Sequence, residues 1–275
     1  MVCVKGDQDH SFCMFNLFTG GSRIVKSAPV SDLSCICYGF GYDCVDNDYK
    51  ILVVWKYDSN SFDSNPVFQS KDDDLFWVYS CRDDGWSRFK GFPYATFDWG
   101  PLGLEGKPAC LVNNILHWCI KTRDYKKVIA TYDLHTCRFG KMVLPDGISR
   151  GILSELGAGQ LCCSYFEEDK IKVWGMKEYG VKESWTMLFN FDIYYYISSA
   201  AALCEWKDGR RLVLYDPPKN GSLHWYNIDT NEFRSIGRGT WRRSKVVNGG
   251  RGTTYRIMRV GNGARTWKEV VILQR

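Results

Sequence analysis

Gly147-Ile148-Ser149-Arg150-Gly151 has the G-x-S-x-G spacing of a nucleophile elbow, in which a serine on a sharp strand-to-helix turn attacks an acyl carbon. That chemistry needs a strand entering, a helix leaving and a histidine base. Pro145-Asp146 interrupts the entry, and His224 is the one histidine downstream, so the stretch reads as a turn. His117 and His224 each precede a Trp inside a strand-like run. Each is either a ligand contact or, the favoured reading, a packed imidazole at a hairpin edge. The acidic clusters Asp72–Asp74, Asp83-Asp84 and Glu167–Asp169 lie in turns, where solvated charge is the default. A paired-carboxylate glycosidase would aim such acids into a cleft. No H-E-x-x-H, phosphate-binding loop or G-x-G-x-x-G pattern occurs. Asn220-Gly221-Ser222 is a glycosylation sequon that reads as a tight hairpin turn.

The twelve cysteines are scattered, with no C-x-x-C, and Cys35-x-Cys37 and Cys162-Cys163 are poor zinc spacings. They read as free thiols acting as small hydrophobes, and no metal or cofactor is expected. The N-terminus has no apolar signal core. The longest nearly apolar run, Tyr194–Cys204, is too short to span a membrane. The expected location is cytoplasmic, nuclear or both.

Charge is unevenly placed. Residues 238–275 hold ten Lys and Arg against one acid, Glu269, and the rest of the chain is slightly acidic. Trp241, Arg242, Arg243, Lys245 and Arg251 could follow a phosphate backbone, with Trp241 or Tyr255 stacking on bases. The alternation of Thr254, Arg256 and Met258 with Tyr255, Ile257 and Arg259 equally suits an edge strand carrying solvated basic side chains. A structural or docking tail is favoured over nucleic-acid binding.

The elements that must position these residues are strands. Aromatics make up 15% of the chain, glycines are plentiful and no long amphipathic helical pattern occurs. Leu161–Phe166 and the alternating Ile171–Met176 flank a short charged break and predict a hairpin, after which Trp185 opens the next apolar run. Tyr49–Tyr57 predicts a strand buried on both faces. Cys110–Val112, Asn113-Asn114 and Ile115–Trp118 predict another hairpin, since Asn tolerates positive φ. Tyr79 to Trp86, Tyr132 to Phe139 and Tyr226 to Phe233 repeat one seven-residue spacing across a polar turn. Trp174 to Trp185 reads as the same device with an insertion, and Leu-His-Trp occurs at both 116–118 and 223–225. Such repetition predicts an all-β, propeller-like (kelch-like) domain of antiparallel blades over residues 1–237, followed by a basic segment over 238–275. A β-sandwich is the competing architecture.

Several stretches then carry a resemblance. They are Tyr38-Gly39-Phe40-Gly41-Tyr42-Asp43 with Asp48-Tyr49-Lys50, Val78-Tyr79-Ser80 with Trp86, Leu116-His117-Trp118, Tyr132-Asp133-Leu134 with Phe139, and Trp174–Val181 with Ser184-Trp185. In this order and spacing, Tyr38–Ile236 resembles the plant F-box-associated domain, including the S-locus F-box type. The resemblance implies a non-enzymatic propeller that selects target proteins for an SCF-type ubiquitin ligase. In that family an N-terminal helical F-box docks on a Skp-type adaptor and a cullin. Residues 1–34 show no such helical segment, so direct docking is not expected of this stretch, and residues 238–275 depart from the family's usual ending. Specificity in such a module falls to loops on one face. Phe92, Tyr94, Phe97 and Trp99, with Tyr194, Tyr195 and Tyr196, are the loop aromatics expected to bind a target; core packing is their alternative use.

Overall fold

The computed structural model describes residues 1–5, 11–16, 19–28, 33–57, 75–90, 107–121, 127–148, 151–156, 159–167, 170–192, 201–205, 211–216, 222–227, 229–230, 232–238, 240–248, 251–260 and 269–271. Beyond residue 200, side chains are described for Tyr226, Asn227, Asp229, Thr230 and Glu232. The described residues form strands, turns and one 3-10 turn, Lys182–Ser184.

The strands fall into sheets that follow chain order. The first sheet is β1 (Val2–Lys5), β2 (Phe12–Phe15) and β3 (Ser22–Val25). The second is β4 (Leu33–Asp43), β5 (Asp48–Tyr57), β6 (Leu75–Ser80) and β7 (Gly85–Lys90), with the short β8 (Lys107–Pro108) added parallel to β4. The third is β9 (Cys110–Val112), β10 (Ile115–Lys121), β11 (Lys127–Asp133) and β12 (Arg138–Met142). The fourth is β13 (Ile152–Leu156), β14 (Gln160–Glu167), β15 (Lys170–Met176) and β16 (Trp185–Asp192). The fifth is β17 (Ala201–Glu205), β18 (Arg211–Asp216), β19 (Ser222–Asn227) and β20 (Glu232–Arg238). The sixth is β21 (Thr240–Asn248), β22 (Arg251–Val260) and β23 (Glu269–Val271). Apart from the parallel β8, each sheet is an antiparallel meander, and the leading strands β4, β9, β13 and β17 adjoin one another in succession. This is a propeller-like arrangement of blades around inner strands. A sandwich would instead gather the strands into two facing sheets.

The core lies between blades and follows from the two-residue period of a strand. On β5, Ile51 and Val53 pack with Phe12, Met14 and Val25 of the first sheet. Leu52 and Val54 pack with Leu116, Trp118 and Tyr132 of the third. All four β5 residues are fully buried, which explains why the run is apolar on both faces. Each contributes about 1.5–3 kcal/mol of transfer free energy. Across the next interface, Val112 and Ile129 meet Leu161, Cys163, Met176 and Trp185. Gly39 and Gly41 let β4 approach the third sheet. A Cβ on Gly39 would lie 2.5 Å from Leu116 Cδ1, and one on Gly41 would collide with Leu134.

The seven-residue repeat is a register device. Tyr79, Tyr132 and Tyr226 stand directly across from Trp86, Phe139 and Phe233. The turns between them are built by side-chain acceptors. Asp133 Oδ1 accepts from His135 and Thr136 N–H at 2.8 and 3.1 Å, and Asn227 Oδ1 from Asp229 and Thr230 N–H at 3.0 and 3.3 Å. Asp43 does the same for Val45 and Asp46 at 3.0 and 3.3 Å, so Tyr42 and Tyr49 form a further pair with this spacing. Asn47, Asp84 and Cys137 end their turns at φ values of 53°, 51° and 55°. The Asn113-Asn114 turn has φ of 51° and 64°, as the hairpin reading requires.

Three sequence expectations are corrected here. Trp185 pairs with Met176, while Trp174 faces Met187 across a register shift, so the two tryptophans are not a copy of the Tyr–Phe device. The two Leu-His-Trp stretches occupy non-equivalent strands, the second of one sheet and the third of another. β22 pairs with both β21 and β23, so it is an interior strand of its sheet, not an edge.

Candidate interaction surface

The stretch Lys177–Ser184 joins β15 to β16 and is fixed at both ends. Within it, Gly180 takes φ +87°, a region that favours glycine. Val181 N–H donates to Glu178 O and Ser184 N–H to Val181 O, each at 3.1 Å. The Ser184 hydroxyl lies 2.7 Å from Val181 O and 2.8 Å from Glu178 O, and accepts from Glu178 N–H at 3.1 Å. Two contacts from this stretch, and a third from Trp185 next to it, tie it to the third sheet and the segment after that sheet. Trp185 Nε1–H donates to Val143 O at 3.0 Å, Lys182 pairs with Asp146 at 3.0 Å, and Tyr179 meets His117 at 2.7 Å. The apolar side chains left outside are Val143, Val181 and Tyr179, which are 49%, 40% and 37% exposed.

His117 explains the rigidity of that attachment. It lies on β10 and is buried. Nδ1 is 3.2 Å from Cys110 O, and a carbonyl can only accept, so Nδ1 carries the hydrogen. Nε2 then accepts from the Tyr179 hydroxyl. Burial pushes the imidazole down to about 4, so it is neutral near pH 7. Burial, with the charges of Asp133 and Cys110 adding to it, pushes the Tyr179 phenol up to about 12, which keeps it a donor. His117 is a structural imidazole that latches the loop of one blade onto the next.

A second rigid feature lies at the β4–β5 turn. Lys50 Nζ donates to Asp43 at 2.7 Å, to Asp46 at 2.8 Å and to Leu134 O at 3.0 Å. Burial alone would raise the Asp43 carboxyl. The bonds from Lys50 and from the N–H groups of Asp46 and Val45 outweigh it and hold the carboxyl below its ordinary value. Asp48 accepts from the Ser80 hydroxyl at 2.6 Å and from Arg82 N–H at 2.9 Å, tying the β6–β7 turn to the same place. Ligand atoms of Asp43, Asp46 and His135 lie within 4.8 Å of one another, a spacing a metal ion could use. The Lys50 ammonium already bonds both carboxylates and supplies the positive charge there.

Phe92, Tyr94, Phe97, Trp99, Tyr194, Tyr195 and Tyr196 lie outside the described residues. Trp241, Arg242, Arg243, Lys245 and Arg251 fall on β21 and β22. Gly147 closes a turn in which Ile148 N–H donates to Pro145 O at 3.2 Å, and the next described element is β13, a strand, where a nucleophile elbow would enter a helix. Asp84 is not simply solvated: it pairs with Arg23 at 2.5 Å and accepts from the Tyr79 hydroxyl at 2.5 Å. Sequence reasoning missed Lys50, which sits inside an apolar run. Its signal is Asp43, Asp46 and Lys50 bracketing one short turn.

A family model described as the F-box associated beta propeller domain matches residues 1–243. The chain is 27% identical over 250 residues to the F-box protein CPR1 of Arabidopsis thaliana, covering 80% of this chain and 58% of that protein. It is 26% identical over 239 residues to an F-box/kelch-repeat protein of the same plant, covering 82% of this chain and 61% of that one. It thus spans about three-fifths of the length of these relatives.

Proposed function

We propose a function from one premise: the chain belongs to the F-box associated beta propeller domain family. In our reading it is a protein-interaction module that selects substrates for an SCF-type ubiquitin ligase and performs no chemistry on them. A Skp-type adaptor and a cullin are its proposed partners in such an assembly, reached through an F-box like the one the relatives' names record.

The observation that carries this reading is the loop from Lys177 to Ser184. It is held by its own backbone bonds, by the contacts of Tyr179 and Lys182 to neighbouring segments and by that of the adjoining Trp185, and it still exposes Val181 and Tyr179 beside Val143. A surface already ordered before binding loses little entropy when a partner docks. Lys177, Glu178, Lys182 and Glu183 give it a charged rim, the composition of an interface edge.

The test is paired affinity capture from plant extract, using the chain and its Val143→Asp/Val181→Asp variant at matched thermal stability. The reading expects a set of proteins retained by the first and lost by the second. Identical sets from both would refute this surface. Retention that collapses with added salt, and is carried by nucleic acid, would transfer the function to the basic stretch beyond Arg238.

A further inference from the structure

Trp86 and Trp185 make the same bond at two different blade interfaces. Trp86 is the second residue of β7, the outermost strand of the second sheet, and its Nε1–H donates to Lys26 O at 3.0 Å. Lys26 is the first residue after β3. Trp185 opens β16, the outermost strand of the fourth sheet, and its Nε1–H donates at 3.0 Å to the O of Val143, the first residue after β12. In each case the tryptophan takes the carbonyl that follows the outermost strand of the preceding sheet. β3 therefore holds in the first sheet the place that β12 holds in the third, the fourth and outermost. Counting inward, β2 is the third strand and β1 the second.

The cores agree with this count. Cys3 of β1, Phe12 and Met14 of β2 and Val25 of β3 pack with the second sheet. Cys119 of β10, Ile129 of β11 and Met142 of β12 pack with the fourth in the same order. The third sheet adds Cys110 and Val112 from its inner strand, β9. The first sheet has no such strand among the described residues: β1 pairs with β2 on one edge, and no described strand pairs with the other. Every other described strand already has its place in a sheet.

We propose that the open edge of β1 takes an extended segment of a partner protein as the inner strand of the first blade. A strand edge binds another chain through its main chain, and the side chains beside it select the sequence. Inner strands here run antiparallel to the second strand of their sheet, as β4 does to β5, β9 to β10 and β13 to β14. The partner segment therefore runs antiparallel to β1. One of its faces meets β4, where Tyr38 and Phe40 pack toward the first sheet. At the next interface the sizes are reversed, with Gly39 and Gly41 of β4 making room for Leu116 and Leu111. Close packing against two aromatic rings then requires Gly, Ala or Ser at every second residue of the segment. By the strand period Lys5 falls on the same face of β1 as Cys3, so an acid at the start of the segment stands across from it as an opposite-charge pair. Cys3 and Phe40 are only partly buried, and both gain cover from such a strand. This edge lies on the first blade and the Lys177–Ser184 loop on the fourth, so the proposal stands whether or not that loop binds ligase substrates.

The probe is the synthetic peptide Glu-Val-Ala-Val-Ser-Val, and the measurement is amide hydrogen exchange on the full chain. The expected result is fast exchange in β1 alone, slowed about tenfold at saturating peptide, with β5 unchanged. A second peptide carrying Phe in place of Ala and Ser should give no protection. Exchange in β1 as slow as in β5 without peptide overturns the proposal, because another segment of the chain then pairs there. So does a dimer by light scattering with β1 protected, which gives the edge to a second copy. Failure of the first peptide to slow β1 at any concentration, or equal protection by the Phe peptide, overturns it as well.

Discussion

The Lys50 ammonium lies 2.7 Å from the Asp43 carboxylate, with the two side chains 10% and 0% exposed. The pair joins β4 to β5 and, through Leu134 O, joins the second blade to the third. Removing one partner leaves a buried charge alone, which costs about 3–5 kcal/mol. Lys50→Met is therefore expected to lower the urea midpoint severely. Lys50→Met/Asp43→Asn is expected to recover much of the loss, because the uncompensated charge goes too. A double mutant no more stable than the single one would show that the pair is not an isolated electrostatic unit.

The His117–Tyr179 contact predicts a smaller effect. Tyr179→Phe keeps the ring but removes the hydroxyl that donates to the buried Nε2. An unsatisfied buried acceptor costs about 1–3 kcal/mol. Urea unfolding of this variant against the wild type gives the number, and the loop should gain amide exchange as its latch opens.

The same histidine sets a pH dependence. Unfolded, it titrates near 6.5; folded, burial takes it down to about 4. Between these values the unfolded chain holds a proton that the folded chain does not. Stability therefore falls as pH drops from about 6.5 to about 4, by about 3 kcal/mol in all. Asp43 acts lower: its folded carboxyl is depressed, so its contribution is full above the ordinary carboxylate value and is lost as pH falls through the folded one. His117→Gln should flatten the loss between pH 6.5 and 4 and spare the acid limb below it.

Gly39 and Gly41 predict a packing cost. A methyl at either position strikes a buried leucine of the third blade, Leu116 or Leu134. Overpacking of this kind costs about 1–3 kcal/mol. Gly39→Ala and Gly41→Ala should each lower the thermal midpoint, whereas Gly85→Ala, whose new Cβ would meet Asp83 O at an ordinary 3.7 Å, should cost less.

How much of this was legible differs by element. The β14–β15 hairpin, the two-faced β5 run and the Asn113-Asn114 turn follow from local pattern, because strand period and turn φ are properties of neighbouring residues. The Tyr–Phe spacing of seven was also legible as a repeat, since one turn design recurs. Trp174 and Trp185 misled because β15 runs on to Met176, which takes the place opposite Trp185 and leaves Trp174 opposite Met187, and where a strand pairing ends leaves no mark in residue spacing.

Sequence alone therefore determined the class of fold, the turns and the family resemblance, each of which rests on residues close along the chain. The tertiary structure decided which distant groups meet: Lys50 with Leu134, His117 with Tyr179, and Trp185 with Val143. Those meetings lie between blades. Stacking one sheet on the next fixes them, and the period within any strand shows which face a side chain takes but not which residue waits opposite.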